Sequence, residues 1–259
     1  MTNGKINQYQ NHGDNYVCNI CKDTTWIFLE DGSVKRCECF EKYLNDIKIK
    51  KLKMPREFQK VRLKDFNLRP YRNDETMIEL KKMVSAYIKN PDKYKGKGFY
   101  MYSSIKGSGK TYMLAILGNE LTDRGYGVRF AKTTEILDAI KETFQNPEES
   151  TRDIIQGLIE VEYLLIDDIG MEKATDWVNE QFTYIIDKRM TAEKTTMFTS
   201  NVAPKGLNLN DRIINRINKM TIKAKFPEIS VRDILADIEE RKIVKELLNE
   251  GKTKNKEEE

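Results

Sequence analysis

Phe99-Tyr100-Met101-Tyr102 reads as a short apolar strand, and the residues after it constrain the fold more than any others in the chain. Ser104-Ile105-Lys106-Gly107-Ser108-Gly109-Lys110-Thr111 forms a glycine-rich turn, and helical periodicity begins at Lys110 and runs to about Arg124. A strand, such a turn and a helix in that order predict a phosphate-binding loop. Gly107, Ser108 and Gly109 let backbone N–H groups converge on phosphates, and the helix N-terminus adds its partial positive charge. Lys110 is then placed to reach the β- and γ-phosphates of ATP, and Thr111 to hold Mg2+. The usual pattern opens with glycine. Here that position is Ser104, which fits if its backbone avoids positive φ.

A second strand supplies acid. Glu162-Tyr163-Leu164-Leu165-Ile166-Asp167-Asp168 is an apolar run ending in two carboxylates. Asp167 is expected to coordinate Mg2+ from the carboxyl end of a strand neighbouring the loop-bearing one, and Asp168 to polarise water. Between and beyond these segments, strands at Gly127–Ala131 and Thr195–Thr199 alternate with helices at Thr134–Phe144, Thr151–Ile159 and Asp176–Met190. This alternation predicts an α/β fold with a parallel sheet covered by helices. A helical pattern spans Asn67–Asn90. Residues 231–248 make a last amphipathic helix, and the charged tail GKTKNKEEE is expected to be unstructured.

All four cysteines fall between Cys18 and Cys39. Cys18, Cys21, Cys37 and Cys39, spaced C-x2-C and C-x-C, suit tetrahedral Zn2+ better than disulfides in a reducing compartment. Trp26-Ile27-Phe28-Leu29, Asp31-Gly32 and Val34 read as a hairpin that returns the second pair to the first. Four thiolates leave no open position for water, so the ion is structural. The segment before the cysteines is expected to be disordered and holds His12, the sole histidine. Phe40–Met54 reads as a basic helix ended by Pro55. Between Lys42 and Lys64 nine basic residues face only Asp46 and Glu57, which suits a solvated helix and linker as well as a phosphate-facing surface. The predicted division is a zinc-binding module over 1–54, an ATPase domain over 55–249 and a charged tail over 250–259.

The chain resembles the DnaC/DnaI-type replicative helicase loaders, which are AAA+ ATPases. The resemblance rests on LLIDDIGMEKATDWVNEQFTYIIDKRM, on Thr199-Ser200-Asn201, on Asp211-Arg212-Ile213-Ile214-Asn215-Arg216-Ile217, and on Ser230-Val231-Arg232. It implies an AAA+ phosphate-loop sheet, with Asn201 beside the γ-phosphate, Arg216 as a finger acting in trans on a neighbouring subunit, and Arg232 on phosphate in cis. Asp168, Asn201 and Arg216 are the implied catalytic set. The resemblance also implies that the zinc module contacts a replicative helicase. It further places Arg129, Lys132, Thr133, Thr134, Lys141 and Phe144 on an element that meets single-stranded DNA, a role for which cations and an aromatic are suited. An amphipathic helix with Phe144 in the core fits the same residues. Glu228 stands where the family has glycine before the Ser-x-Arg motif.

Composition sets outer bounds. A net charge of +4 is too mild to require a nucleic-acid partner, and 39% hydrophobic with 33% charged residues suits a globular domain. No apolar run nears the ~20 residues that cross a bilayer, and no secretion signal opens the chain, so a cytoplasmic location without membrane contact is expected. The expected function is an ATP-dependent loader that binds a replicative ring helicase and delivers it to single-stranded DNA at replication initiation. Hydrolysis would be Mg2+-dependent, slow and coupled to partners. An IstB-like transposition ATPase shares the core, although the cysteine module argues against it. A non-hydrolysing zinc and DNA adaptor is the other alternative.

Overall fold

A computed structural model describes residues 18–29, 32–40, 54–142, 151–170 and 175–254. His12 and the N-terminal stretch expected to be disordered, most of the expected basic helix, Phe144 and the last five residues lie outside these. The chain divides into two compact units, Met1–Ile47 and Lys48–Glu259. The boundary drawn at Pro55 adjoins residues 41–53, which are also outside the described set.

The first unit contains the expected hairpin. Strands β1 (Trp26–Phe28) and β2 (Val34–Arg36) pair antiparallel, with Phe28 opposite Val34. Its apolar side chains are largely uncovered, Phe28 being 77% and Val34 51% exposed, whereas Cys21 and Cys37 are buried. Among the described residues of this unit, Cys21 and Cys37 are the buried apolar side chains, so cysteine sulfur takes the place of an apolar core.

The second unit is built on a five-stranded parallel sheet. Its strands are β3 (Gly98–Tyr102), β4 (Val128–Lys132), β5 (Tyr163–Asp167), β6 (Thr195–Ser200) and β7 (Thr221–Lys225), in the order β4-β5-β6-β3-β7. Alternation along each strand divides the core between the two faces. Phe99, Met101, Leu165 and Met197 pack on one side with helices α1 (Glu75–Lys89) and α2 (Lys110–Asp123). Tyr100, Leu164, Ile166 and Phe198 face the other. There they meet α3 (Thr133–Glu142), α4 (Thr151–Glu160), α5 (Asp176–Thr191) and α6 (Asp211–Met220). Helix α2 is apolar nearly all round, since Met113 through Leu117 are fully buried. Burying Met113, Leu114, Ile116 and Leu117 contributes roughly 1.5–3 kcal/mol each, which anchors the helix that the glycine-rich turn opens.

Local signals set the helix starts. Asp74 accepts from the Met77 amide, Thr175 from the Val178 amide and Asn210 from the Ile213 amide, each as an N-cap. Helix α1 accordingly begins at Glu75 rather than at Asn67. Pro70 and a left-handed turn at Arg72 hold the preceding residues in short 3-10 turns. The last helix, α7 (Val231–Lys254), extends past residue 248 into the segment expected to be unstructured, and runs through Gly251 despite the low helix propensity of glycine. Among the described residues no helix is long and apolar enough to cross a membrane.

Candidate active site

The glycine-rich turn leaves β3 and enters α2 as the sequence predicts. Gly107 (φ +79°) and Gly109 (φ +95°) occupy left-handed backbone that other residues adopt at a cost. They are also closely overlaid. A Cβ on Gly107 would lie 2.9 Å from Ser230 Oγ, and one on Gly109 would lie 2.1 Å from Tyr71 Oη. Ser104 is not among the left-handed residues, so the serine at the first position is free of strain.

Lys110 is buried, and its ammonium donates to Ile105 O at 3.0 Å and to Ser103 O and Ser108 Oγ at 3.3 Å each. Burial lowers its pKa, and the negative charges of Asp168, Asp167 and Glu228 oppose that shift. The loop's own acceptors thus hold the cation at the place where phosphate oxygens would compete for it.

Asp167 ends β5 and is 2% exposed. Thr111 Oγ1 donates to its Oδ1 at 2.9 Å, and Thr199 Oγ1 donates to the same oxygen at 2.6 Å. Burial raises the Asp167 pKa, which the Thr199 and Thr111 bonds partly offset. A buried carboxylate flanked by a hydroxyl from the phosphate loop is a hard oxygen set that fits Mg2+. The expected adjacency of its strand to the loop-bearing strand is corrected: β6 lies between β3 and β5. Thr199, on that intervening strand, bridges the gap. Its hydroxyl also accepts from the Asp168 amide at 2.9 Å, holding Asp168 in left-handed backbone (φ +59°).

A cavity of about 580 Å3 joins these parts. Residues 106–111, Asp168, Asn201 and Arg232 line it, so the sequence-derived set meets around one space, Asp167 standing behind Thr111. Its far wall has no counterpart in the sequence reading. Phe58, Phe66, Pro70 and Tyr71, from the irregular segment before α1, supply an apolar side. Tyr71 donates from its hydroxyl to Ser108 O at 2.9 Å, and Phe66 stacks on it at 5.6 Å. An aromatic cluster without helical or strand period gives little signal in sequence.

Arg216 does not line the cavity. On α6 it pairs with Asp187 of α5, which also takes Arg212 at 2.8 Å. Of the residues considered for DNA, Lys132, Thr134 and Lys141 are exposed and Arg129 is half-buried. Thr133 is buried and donates to Asp167 O at 3.2 Å, which turns it toward the site rather than toward a strand of DNA.

In the first unit, the sulfurs of Cys18, Cys21, Cys37 and Cys39 all lie within 4.8 Å of one another. Tetrahedral Zn2+ with bonds of about 2.3 Å separates its sulfurs by about 3.8 Å. The Cys18–Cys37 distance of 3.7 Å and the Cys21–Cys39 distance of 3.3 Å lie near that value. The Cys21 and Ile20 amides hold the Cys18 thiol down to about 7. The neighbouring Cys21 sulfur pushes Cys39 far up. Such crowding of thiols fits a divalent ion.

The bacterial DnaA ATPase domain family matches residues 78–224, more than half of the chain. The chain belongs to this family. The match runs from within α1 to β7 and contains the phosphate loop, Asp167, Asp168 and Asn201. The protein of Bacillus subtilis (strain 168) named replicative helicase loader DnaI is 29% identical over 154 residues, 59% of this chain and 49% of that protein. The replicative helicase loader DnaC of Escherichia coli (strain K12) is 28% identical over 120 residues, 46% of this chain and 49% of that one. A crystal structure of DnaI superposes with a TM-score of 0.59 at 26% identity, covering 68% of this chain and 96% of that chain. The chain therefore spans about half the length of the curated relatives it matches. The resemblance to DnaC/DnaI-type loaders and the AAA+ fold are both borne out, and the second unit is an ATPase-type nucleotide-binding domain.

Proposed function

We propose that this chain is an ATP-dependent loader that binds a replicative ring helicase and delivers it to single-stranded DNA during replication initiation. One observation carries the reading. A single cavity is lined by the phosphate loop, Asp168, Asn201 and Arg232, in a chain whose relatives are named helicase loaders.

Backbone N–H groups of Gly107–Thr111 bind the phosphates, and Lys110 exchanges its loop acceptors for β- and γ-oxygens. Thr111 and Asp167 hold Mg2+, which when bound neutralises phosphate charge. Asp168 polarises the attacking water, Asn201 orients it, and Arg232 steadies phosphate from α7. Arg216, turned away from its own cavity, serves the nucleotide of a neighbouring subunit, so chains would assemble to complete the site. Turnover is slow and coupled to partners, with ATP binding as the assembly switch and hydrolysis permitting release.

The four cysteines hold a structural Zn2+, and the module they stabilise grips the helicase. Lys132, Lys141 and Arg129, at the edge strand β4 and on α3, face DNA phosphates. The division of labour is the one drawn from the sequence, with the module over 1–54, the ATPase domain over 55–249 and the tail over 250–259, in a protein of the cytoplasm. The test is to mix the chain with replicative ring helicases, with and without ATP, and weigh the complexes by native mass spectrometry. An ATP-sensitive complex of defined stoichiometry is expected. The absence of any such complex would remove the loader reading.

A further inference from the structure

Two positions depart from the loader pattern, Ser104 at the first position of the phosphate loop and Glu228 ahead of Ser230-Val231-Arg232. They lie 124 residues apart in sequence and meet directly. Glu228 Oε2 accepts from the Ser104 amide at 3.1 Å and from the Ser104 hydroxyl, and Ser103 Oγ donates to it at 3.3 Å. Glycine at either position removes a side chain that this arrangement uses. The Ser104 bond holds the Glu228 carboxyl below its usual range, so it is ionised at neutral pH.

The contact stands in the middle of a longer clasp. The Phe226 amide donates to Tyr102 O at 2.8 Å, on the strand before the loop. The Arg232 amide donates to Gly107 O at 3.2 Å, within the loop itself. Residues 226–232 therefore track the loop from its root to its turn, and Glu228 closes the interval. The Ser103 carbonyl belongs to the same stretch and accepts from Lys110 at 3.3 Å. Whatever fixes Ser103 and Ser104 also fixes the acceptors that position the lysine.

We propose that Ser104 and Glu228 are a mutually compensating pair of positioning residues, which clasp the entrance of the phosphate loop and set its affinity for the nucleotide triphosphate. The proposal rests on the nucleotide-site reading above. Opposing electrostatics are present, because a carboxylate near the loop repels phosphate. The pair is solvent-exposed, so that repulsion is screened. The directional bonds to Ser103 and Ser104 act on geometry and are the larger effect.

The test is a double-mutant cycle on the full chain, read as equilibrium affinity for a fluorescent ATP analogue with Mg2+. Ser104→Ala and Glu228→Ala should each weaken binding about fivefold, from loss of a charge-assisted hydrogen bond at an exposed site. The double variant should be no weaker than the worse single, which is the mark of a shared contact. Glu228→Gln keeps an acceptor without the charge and should recover most of the affinity. The parent fold, checked by urea midpoint, should be kept throughout. Unchanged or tighter binding in Glu228→Ala would overturn the proposal, as would single effects that multiply in the double variant. Lys110→Ala run alongside separates the two ideas: parental affinity in that variant would sink the site itself rather than the clasp.

Discussion

Replacing Thr199 by valine removes one hydroxyl from the centre of the site at nearly constant volume. That hydroxyl donates to Asp167 Oδ1 at 2.6 Å and accepts from the Asp168 amide at 2.9 Å. Both Thr199 and Asp167 are buried, so water cannot substitute freely. A hydrogen bond to a charged group is worth about 1.5–3 kcal/mol, and the lost acceptor of a half-buried amide adds about 1 kcal/mol. The expected loss is therefore about 2.5–4 kcal/mol, read as a lowered urea midpoint at unchanged slope. The pH dependence has a definite sign. Burial raises the Asp167 pKa in the folded chain, and losing the Thr199 bond raises it further. The deficit is full while Asp167 is ionised in both proteins and shrinks as pH falls through its raised folded pKa. Serine at 199 should restore most of the stability. A valine variant within about 0.5 kcal/mol of the parent at neutral pH would refute the assigned hydrogen bonding.

Three further outcomes are expected. Asp168→Asn should bind Mg2+-ATP nearly as the parent does but hydrolyse it at least about a hundredfold more slowly, measured by phosphate release. Arg216→Ala should bind ATP nearly normally and turn over poorly. Mixing it with Lys110→Ala protein should restore part of the activity if the finger acts between chains, and no rescue at any ratio would assign it to its own chain. Replacing Cys18 and Cys21 together by serine should abolish one equivalent of zinc by elemental analysis and unfold the hairpin, while leaving ATP affinity within about twofold; retention of metal would remove the zinc site.

The strand, loop and helix around Lys110 are legible in the sequence because the fold needs an apolar strand and positive-φ glycines there, and few other sequences satisfy both. Strand β5 is equally clear, as a run of buried residues ending in acid. The features that escape the sequence do so for physical reasons. Strand β7 pairs at the sheet edge and buries only Thr221 and Ala224, so Thr221–Lys225 lacks a strand's usual apolar record. The order of strands is a tertiary property, and without it Thr199 gives no sign that its hydroxyl bonds both Asp167 and the Asp168 amide. Tyr71 acts from a 3-10 turn and Phe66 from the extended residue that ends another, in a segment that obeys no long period. Ser104 and Glu228 each read as a defect alone, and only their contact in space shows them to be one feature.

If ATP phosphates bind on the loop from Gly107 to Thr111, Lys110 is their cationic contact and its removal must weaken binding. Equilibrium binding of ATP with Mg2+ to the parent and to Lys110→Ala is the deciding comparison. The alanine removes charge-assisted bonds worth about 2–4 kcal/mol, so affinity should fall about thirty- to thousandfold while the urea midpoint stays near the parent's. Equal ATP affinity in the two folded proteins would contradict the account.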